Sequence, residues 1–234
     1  MKITGELIDG NLVERPNRFL GIVNTANGLQ QAFIPNPGRM EELLIPGSSV
    51  KLQQINDNRK RKTEYDLVAS FHNNRWISID TRVPNMFVNF LLKKDSLPHF
   101  KGYKILKAEV KYKNSRFDFL LESKSGKICY VEVKSCTLVE NRIALFPDAP
   151  TKRGQKHAIQ LAKLLNEGYR CAMLFIVQRD DADMFAPNDK TDPDFANEFF
   201  KAKSNGLEMF ALSSRMIGCS LEFVKEIPVV LDNE

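Results

Sequence analysis

Several chemistries are absent from this chain of 234 residues, and each absence narrows what it can do. The 4 cysteines (Cys129, Cys136, Cys171 and Cys219) form no CxxC pair, which argues for reduced, mostly buried thiols rather than a zinc site or a disulfide frame. The 3 histidines (His72, His99 and His157) share no spacing with a serine or cysteine nucleophile, so a hydrolase triad has no support. There is no P-loop and no glycine-rich dinucleotide fingerprint. No stretch approaches the roughly 18 continuous apolar residues of a membrane span, and Met1-Lys2-Ile3-Thr4-Gly5-Glu6 contains no apolar signal core. A cytoplasmic protein without a membrane partner is the expectation.

What is present suits a packed globular protein of one large or two small domains: 43% of residues are hydrophobic, 27% are charged, and no run is of low complexity. The net charge of +5 is modest but unevenly placed. Between Lys93 and Lys134 stand 11 Lys/Arg against 5 Asp/Glu, and Arg59-Lys60-Arg61-Lys62 forms a second basic run. Such clusters suit a polyanion, because each neutralised phosphate releases condensed counterions. For the short run, a solvated hairpin tip is an equal reading.

Residues 1–80 read as β structure. Short apolar segments recur at Gly5–Ile8, Phe19–Val23, Gln31–Ile34, Ser49–Leu52, Tyr65–Ala69 and Trp76–Ile79. Asn27-Gly28, Pro35-Asn36-Pro37-Gly38 and Asn73-Asn74 supply the turns between them. A short helix fits Arg39–Leu44. Such a pattern suits a small Greek-key barrel of the OB type, with an SH3-like barrel left open.

Residues 81–234 read as mixed α/β. Pro84 opens a helix to Leu92, and strands follow over Tyr103–Tyr112, Arg116–Glu122 and Ile128–Lys134. Thr151 caps a helix running to Asn166, closed by Gly168, and Arg170–Gln178 is a continuous apolar strand of the buried kind. Asp192-Pro193 starts another helix, ended by Gly206, before short strands near Glu208–Leu212 and Leu221–Val224. The segment from the third strand through the helix to Arg170 is long enough for a parallel crossover.

The chemistry-bearing pattern is Arg116-Phe117-Asp118-Phe119-Leu120 followed by Val131-Glu132-Val133-Lys134. Strand side chains alternate, so Glu132 and Lys134 share a face, and hairpin pairing can bring Asp118 beside Glu132. Two carboxylates and a backbone carbonyl at one spot suit a hard cation, Mg²⁺ or Mn²⁺, and an adjacent ammonium can steer a water or offset phosphoryl charge. Solvated salt bridges use the same residues. What favours the metal reading is the pattern's place on the second and third strands of an α-β-β-β-α-β order, flanked by apolar Phe117, Phe119, Val131 and Val133.

The chain resembles the sugar fermentation stimulation protein A family over nearly its whole length. The resemblance is carried by Pro35-Asn36-Pro37-Gly38-Arg39-Met40, Ser115–Leu120, Val131–Ser135, Phe146-Pro147-Asp148-Ala149-Pro150-Thr151-Lys152-Arg153-Gly154-Gln155-Lys156-His157, and Val177-Gln178-Arg179. It implies an N-terminal OB-fold, a PD-(D/E)XK nuclease-type second domain, DNA binding and a regulatory link to sugar metabolism. Asp118, Glu132 and Lys134 take the nuclease motif's positions. The departure is in the first helix, where many such nucleases place a Glu and this chain has only Asn85 and Asn89. Glu109 is a candidate for a further carboxylate.

Two further features bear on partners. Lys152, Arg153, Lys156 and His157 crowd the first turns of a helix, where the dipole disfavours cations, so an anion is expected there. In the first domain Arg15, Arg18 and Arg39, with Phe19, Phe33 and Trp76 nearby in sequence, are candidates for a nucleic-acid face. The DNA-contact set is then Arg15, Arg18, Arg39, Arg116, Lys152, Arg153, Lys156 and Gln178, gripping phosphates with tolerance of sequence, in a monomer or a homodimer. The leading expectation is a Mg²⁺-dependent DNA endonuclease with Asp118, Glu132 and Lys134 catalytic and the first two binding metal. The alternative is a DNA-binding regulator that does not cut, and nothing in the residues separates DNA from RNA.

Overall fold

A computed structural model describes residues 1–2, 5–55 and 62–230. Of the basic run Arg59-Lys60-Arg61-Lys62, only Lys62 lies among them. Contacts divide the chain into two units. The first comprises Met1–Val83, Gln178–Asp180 and Ser214–Val224; the second comprises Pro84–Val177, Asp181–Ser213 and Lys225–Glu234.

In the first unit the strands are β1 (Leu7–Asn17), β2 (Leu20–Thr25), β3 (Gly28–Phe33), β4 (Ser49–Gln54), β5 (Tyr65–His72) and β6 (Arg75–Ser78). They lie in the order β3-β2-β1-β4-β5-β6, and β3 also pairs with β5 through Ala32↔Tyr65 and Phe33↔Asp66, closing β1–β5 into a barrel. Irregularities in β1 between Leu12 and Glu14 and between Glu14 and Asn17 give the bending that closure needs. Alternation turns Leu12, Val23, Val50, Leu52 and Leu67 into the core. The helix expected over Arg39–Leu44 is a single hydrogen-bonded turn, Leu43 and Leu44 N–H both donating to Met40 O. Met40 has φ 50°, outside the helical region, and Pro46 follows too soon for a helix to propagate.

Further along the chain α1 (Val83–Lys93) precedes the hairpin strands β7 (Tyr103–Tyr112), β8 (Ser115–Ser123) and β9 (Ile128–Cys136). Next come β10 (Leu138–Glu140), β11 (Ile143–Phe146), α2 (Lys152–Asn166), β12 (Arg170–Val177), β13 (Met184–Pro187), α3 (Pro193–Ser204), β14 (Glu208–Ile217) and β15 (Ser220–Ile227). The main sheet runs β15-β14-β12-β9-β8-β7, with β12 parallel to both β9 and β14, so α2 is the expected crossover. A second sheet, β10-β11-β13, is built from segments to which the sequence reading assigns no element. The helices α2 and α3 bury Ala158, Leu161, Leu164, Phe195 and Phe199 with Phe117, Met173 and Phe175 of the sheet.

Local chemistry fixes how α2 begins. Thr151 Oγ1 accepts from Gly154 N at 3.0 Å, while Asp192 accepts from Thr151 N at 2.7 Å and from Gln155 Nε2 at 2.9 Å. The same Asp192 caps α3 by accepting from Phe195 N at 2.9 Å. Gly154 is needed in this turn, since a Cβ there would stand 2.7 Å from Thr151 Cγ2 and 3.3 Å from the Phe195 ring. At the far end Gly168, with φ 88°, closes the helix while Tyr169 N donates to Leu164 O. No helix among the described residues is long and apolar enough to cross a membrane.

Candidate functional site

The β8–β9 ladder ends at Phe119↔Val131, and just beyond it Asp118 Oδ2 takes the N–H of Val133 at 2.7 Å in place of a backbone carbonyl. The strands part at this point, which brings Asp118, Glu132 and Lys134 to one place. Lys134 Nζ donates to Glu132 Oε1 at 2.5 Å. His157, from the second turn of α2, sets its Nδ1 against the same oxygen. On the other side Asn85 of α1 donates from Nδ2 to Asp118 Oδ1 at 2.6 Å.

Burial and neighbouring charge explain how these groups titrate. Desolvation first, and then the Glu132 charge, raises the Asp118 carboxyl to about 6. Desolvation would raise Glu132 too, but Lys134 and His157 together hold it below the usual carboxylate range. His157 is lowered, by desolvation and by the Lys134 ammonium 3.3 Å away, against the pull of Glu132. A neutral imidazole beside an ionised carboxylate carries its hydrogen on Nδ1, where Glu132 Oε1 accepts it.

Glu132 Oε1 thus has two donors, whereas Oε2 is buried with no hydrogen-bond partner. An ionised oxygen so placed is costly unless something positive reaches it. Among the described residues no group of three or more His, Cys, Asp and Glu is placed to hold a metal. What stands here is a pair of carboxylates, hard oxygen donors of the kind a divalent cation prefers. Glu109 does not join it: it is exposed and faces Arg116 at 3.6 Å.

His157 also lines a cleft of about 600 Å³ whose other walls carry Lys111, Lys113, Arg116, Lys152, Arg153 and Lys156 and no acid. Four of the expected contact residues, Arg116, Lys152, Arg153 and Lys156, therefore share one cavity with His157, the partner of Glu132. Lys156 Nζ donates to Asn114 O at 2.6 Å, which fixes the hairpin turn to α2. At the start of α2 the Gly154 N–H is taken by Thr151 Oγ1 and the N–H of the cap residue Thr151 by Asp192, while the cleft's formal positive charge is that of its side chains. Gln178 is not among the lining residues; it is fully buried and donates to Asp80 O at 3.4 Å, because the strand carries it into the interior rather than to a rim.

In the barrel, Arg15, Arg18 and Arg39 come together, though not as three free charges. The Arg15 guanidinium donates to the carbonyls of Arg18 and Gly38, each at 2.9 Å, and to that of Arg39, so it holds the loop. Arg18 and Arg39 remain exposed, and Phe19 stacks on Phe33 with centroids 6.1 Å apart. Trp76 belongs to a different cluster, with Phe71 at 5.2 Å and Lys51 Nζ 4.3 Å from its ring.

Sequence reasoning missed two members of the carboxylate site. In the sequence His157 stands only among the cations of α2, and its distance from Glu132 hides their contact. Asn85 was noted as a missing acid; only the packing of α1 shows that it bonds Asp118.

Comparison with known proteins places the whole chain. The family described as "Sugar fermentation stimulation protein RE domain" matches residues 82–218, and the one described as "SfsA N-terminal OB domain" matches residues 13–79. This chain belongs to the sugar fermentation stimulation protein family. A sugar fermentation stimulation protein homolog of Desulforamulus reducens is 41% identical over 97% of this chain and 93% of its own. One from Moorella thermoacetica is 40% identical over 99% of this chain and 100% of its own. Among solved structures, that of Pyrococcus furiosus SfsA in complex with Ca²⁺ superposes with a TM-score of 0.90 at 31% identity, covering 98% of this chain and 99% of that one. The fold is accordingly an OB barrel followed by the family's α/β domain.

Proposed function

We propose that the protein is a Mg²⁺- or Mn²⁺-dependent endodeoxyribonuclease acting on the DNA backbone with little regard to sequence. The observation that carries this reading is the buried, unpartnered Glu132 Oε2 beside Asp118 and Lys134, next to a cleft lined by six Lys/Arg and no acid. The relative from Pyrococcus furiosus was solved with Ca²⁺, which prefers the same hard oxygen ligands. Asp118 and Glu132 would hold the cation, which when bound supplies Lewis-acid polarisation of phosphoryl oxygen and water.

Every other part of the task falls to side chains of this chain. Lys152, Arg153, Lys156 and Arg116 grip phosphates from the cleft wall. His157 holds Glu132 by Oε1 and leaves Oε2 without a partner. The Lys134 ammonium, held by Glu132, is positioned to offset charge that builds on a phosphate oxygen as the bond breaks.

Lys134→Ala tests the assignment. Cleavage of plasmid DNA with Mg²⁺ or Mn²⁺ should fall by roughly two or more orders of magnitude, while DNA binding stays within a few-fold. Equal rates in mutant and parent would remove Lys134 from the site. A second reading, a DNA-binding regulator linked to sugar metabolism that does not cut, is favoured by the lack of a third acidic group among the described residues. If the parent cuts no substrate with any divalent ion while still binding DNA, that reading is the correct one.

A further inference from the structure

The carboxylate site is short of negative charge. Asp118 and Glu132 contribute two charges, and the Lys134 ammonium at 2.5 Å offsets one of them. Glu109 of β7 is exposed and faces Arg116 at 3.6 Å, away from the site. The position that faces Asp118 from α1 is filled by Asn85, a carboxamide with the shape of an aspartate and none of its charge, which donates to Asp118 Oδ1 at 2.6 Å. One turn on, Asn89 Oδ1 is buried without a hydrogen-bond partner, so this face of α1 offers neutral amide oxygens where acids would fit by size.

We infer that Asn85 limits the site to a single divalent cation per chain. The inference rests on the cation reading above and deepens it. One dication turns the net charge of the site from minus one to plus one. A second would then meet repulsion between two double charges, four times that between unit charges at the same distance. No third carboxylate among the described residues is placed to relieve it. Asn85 is a positioning residue in this account: it orients Asp118 and withholds the third negative charge.

The experiment is Mn²⁺ titration of the full chain by calorimetry, with electron paramagnetic resonance to distinguish isolated from spin-coupled ions. The parent should take up one Mn²⁺ with the spectrum of an isolated ion. Asn85→Asp should take up two, with the broadened spectrum of a coupled pair. Asn85→Ala should keep one ion, bound about ten-fold more weakly because Asp118 has lost its orienting partner. Two ions in the parent, or one in Asn85→Asp, would overturn the inference while leaving the cation reading intact. No ion in the parent would overturn the cation reading itself. Should Asn85→Asp not fold, Asn85→Ala decides: a second ion or unchanged affinity in that variant rules the inference out.

Discussion

At the residue scale the site is governed by two carboxyl groups driven in opposite directions by one environment. Asp118 is raised from 3.8 to about 6, so its proton is held more tightly in the folded chain than in the unfolded one. The stability this contributes is present below pH 3.8 and is lost as pH rises through 6. A cation requires the ionised form, so its affinity should decline about ten-fold for each unit of pH below 6. Saturating Mn²⁺ is therefore expected to raise Tm more at about pH 7.5 than at about pH 5. His157 is lowered and its own linkage runs the other way, being lost as pH falls, so Asp118→Asn is the necessary control. A Mn²⁺-induced Tm rise of the same size at both pH values, or one that survives in Asp118→Asn, would place the cation elsewhere.

At the element scale, the sequence is most readable where a strand or helix carries its own punctuation. The α2 helix shows both ends in its residues, Thr151 before it and Gly168 after it, and β8 and β9 show theirs in Asn114-Ser115 and Ser125-Gly126. The β10-β11-β13 sheet had no such marks. Its strands are Leu138–Glu140, Ile143–Phe146 and Met184–Pro187, and the parallel pairing of β11 with β13 joins segments far apart in the chain. Apolar spacing suggests a helix over Arg39–Leu44 because it cannot reveal the positive φ of Met40. The triad of Asp118, Glu132 and Lys134 could be read from strand alternation, whereas its partners Asn85 and His157 could not, since both arrive from helices by tertiary packing. Asp192 is the hidden joint of this arrangement, holding α2 at Thr151 and Gln155 while capping α3. Asp192→Ala should destabilise by about 2 kcal/mol, near the upper end for a lost cap, lowering Tm by roughly 4–8 °C in a chain of this size. Asp192→Asn keeps an acceptor and is expected to lose less. Equal melting of Asp192→Ala and the parent would show that the joint carries no stability.

At the scale of the whole molecule, a net charge of +5 is too small to explain binding to a polyanion through the overall field, so local concentration must do it. The sequence already showed the excess between Lys93 and Lys134. The fold adds Lys152, Arg153 and Lys156 from a distant segment and lines one cleft with all of these sources. No ion-pair or hydrogen-bond partner within the chain is seen for Lys152 or Arg153 among the described residues, so neither has to leave an internal contact in order to meet a phosphate. Each phosphate contact on duplex DNA contributes about 0.9 to the slope of log K against log salt. Removing both charges in a Lys152→Ala/Arg153→Ala double variant should therefore shrink that slope by about two and weaken binding alike on all sequences. The contrasting pair is Arg15 with Arg18: Arg15→Ala should lower Tm by freeing the loop at Gly38 and Arg39, whereas Arg18→Ala should leave Tm alone and change only DNA affinity. Filter binding at several salt concentrations, run beside thermal melts, measures both quantities on the same preparations. A slope unchanged in the double variant would mean that the cleft does not hold the backbone, and the charge concentrated there would need another ligand.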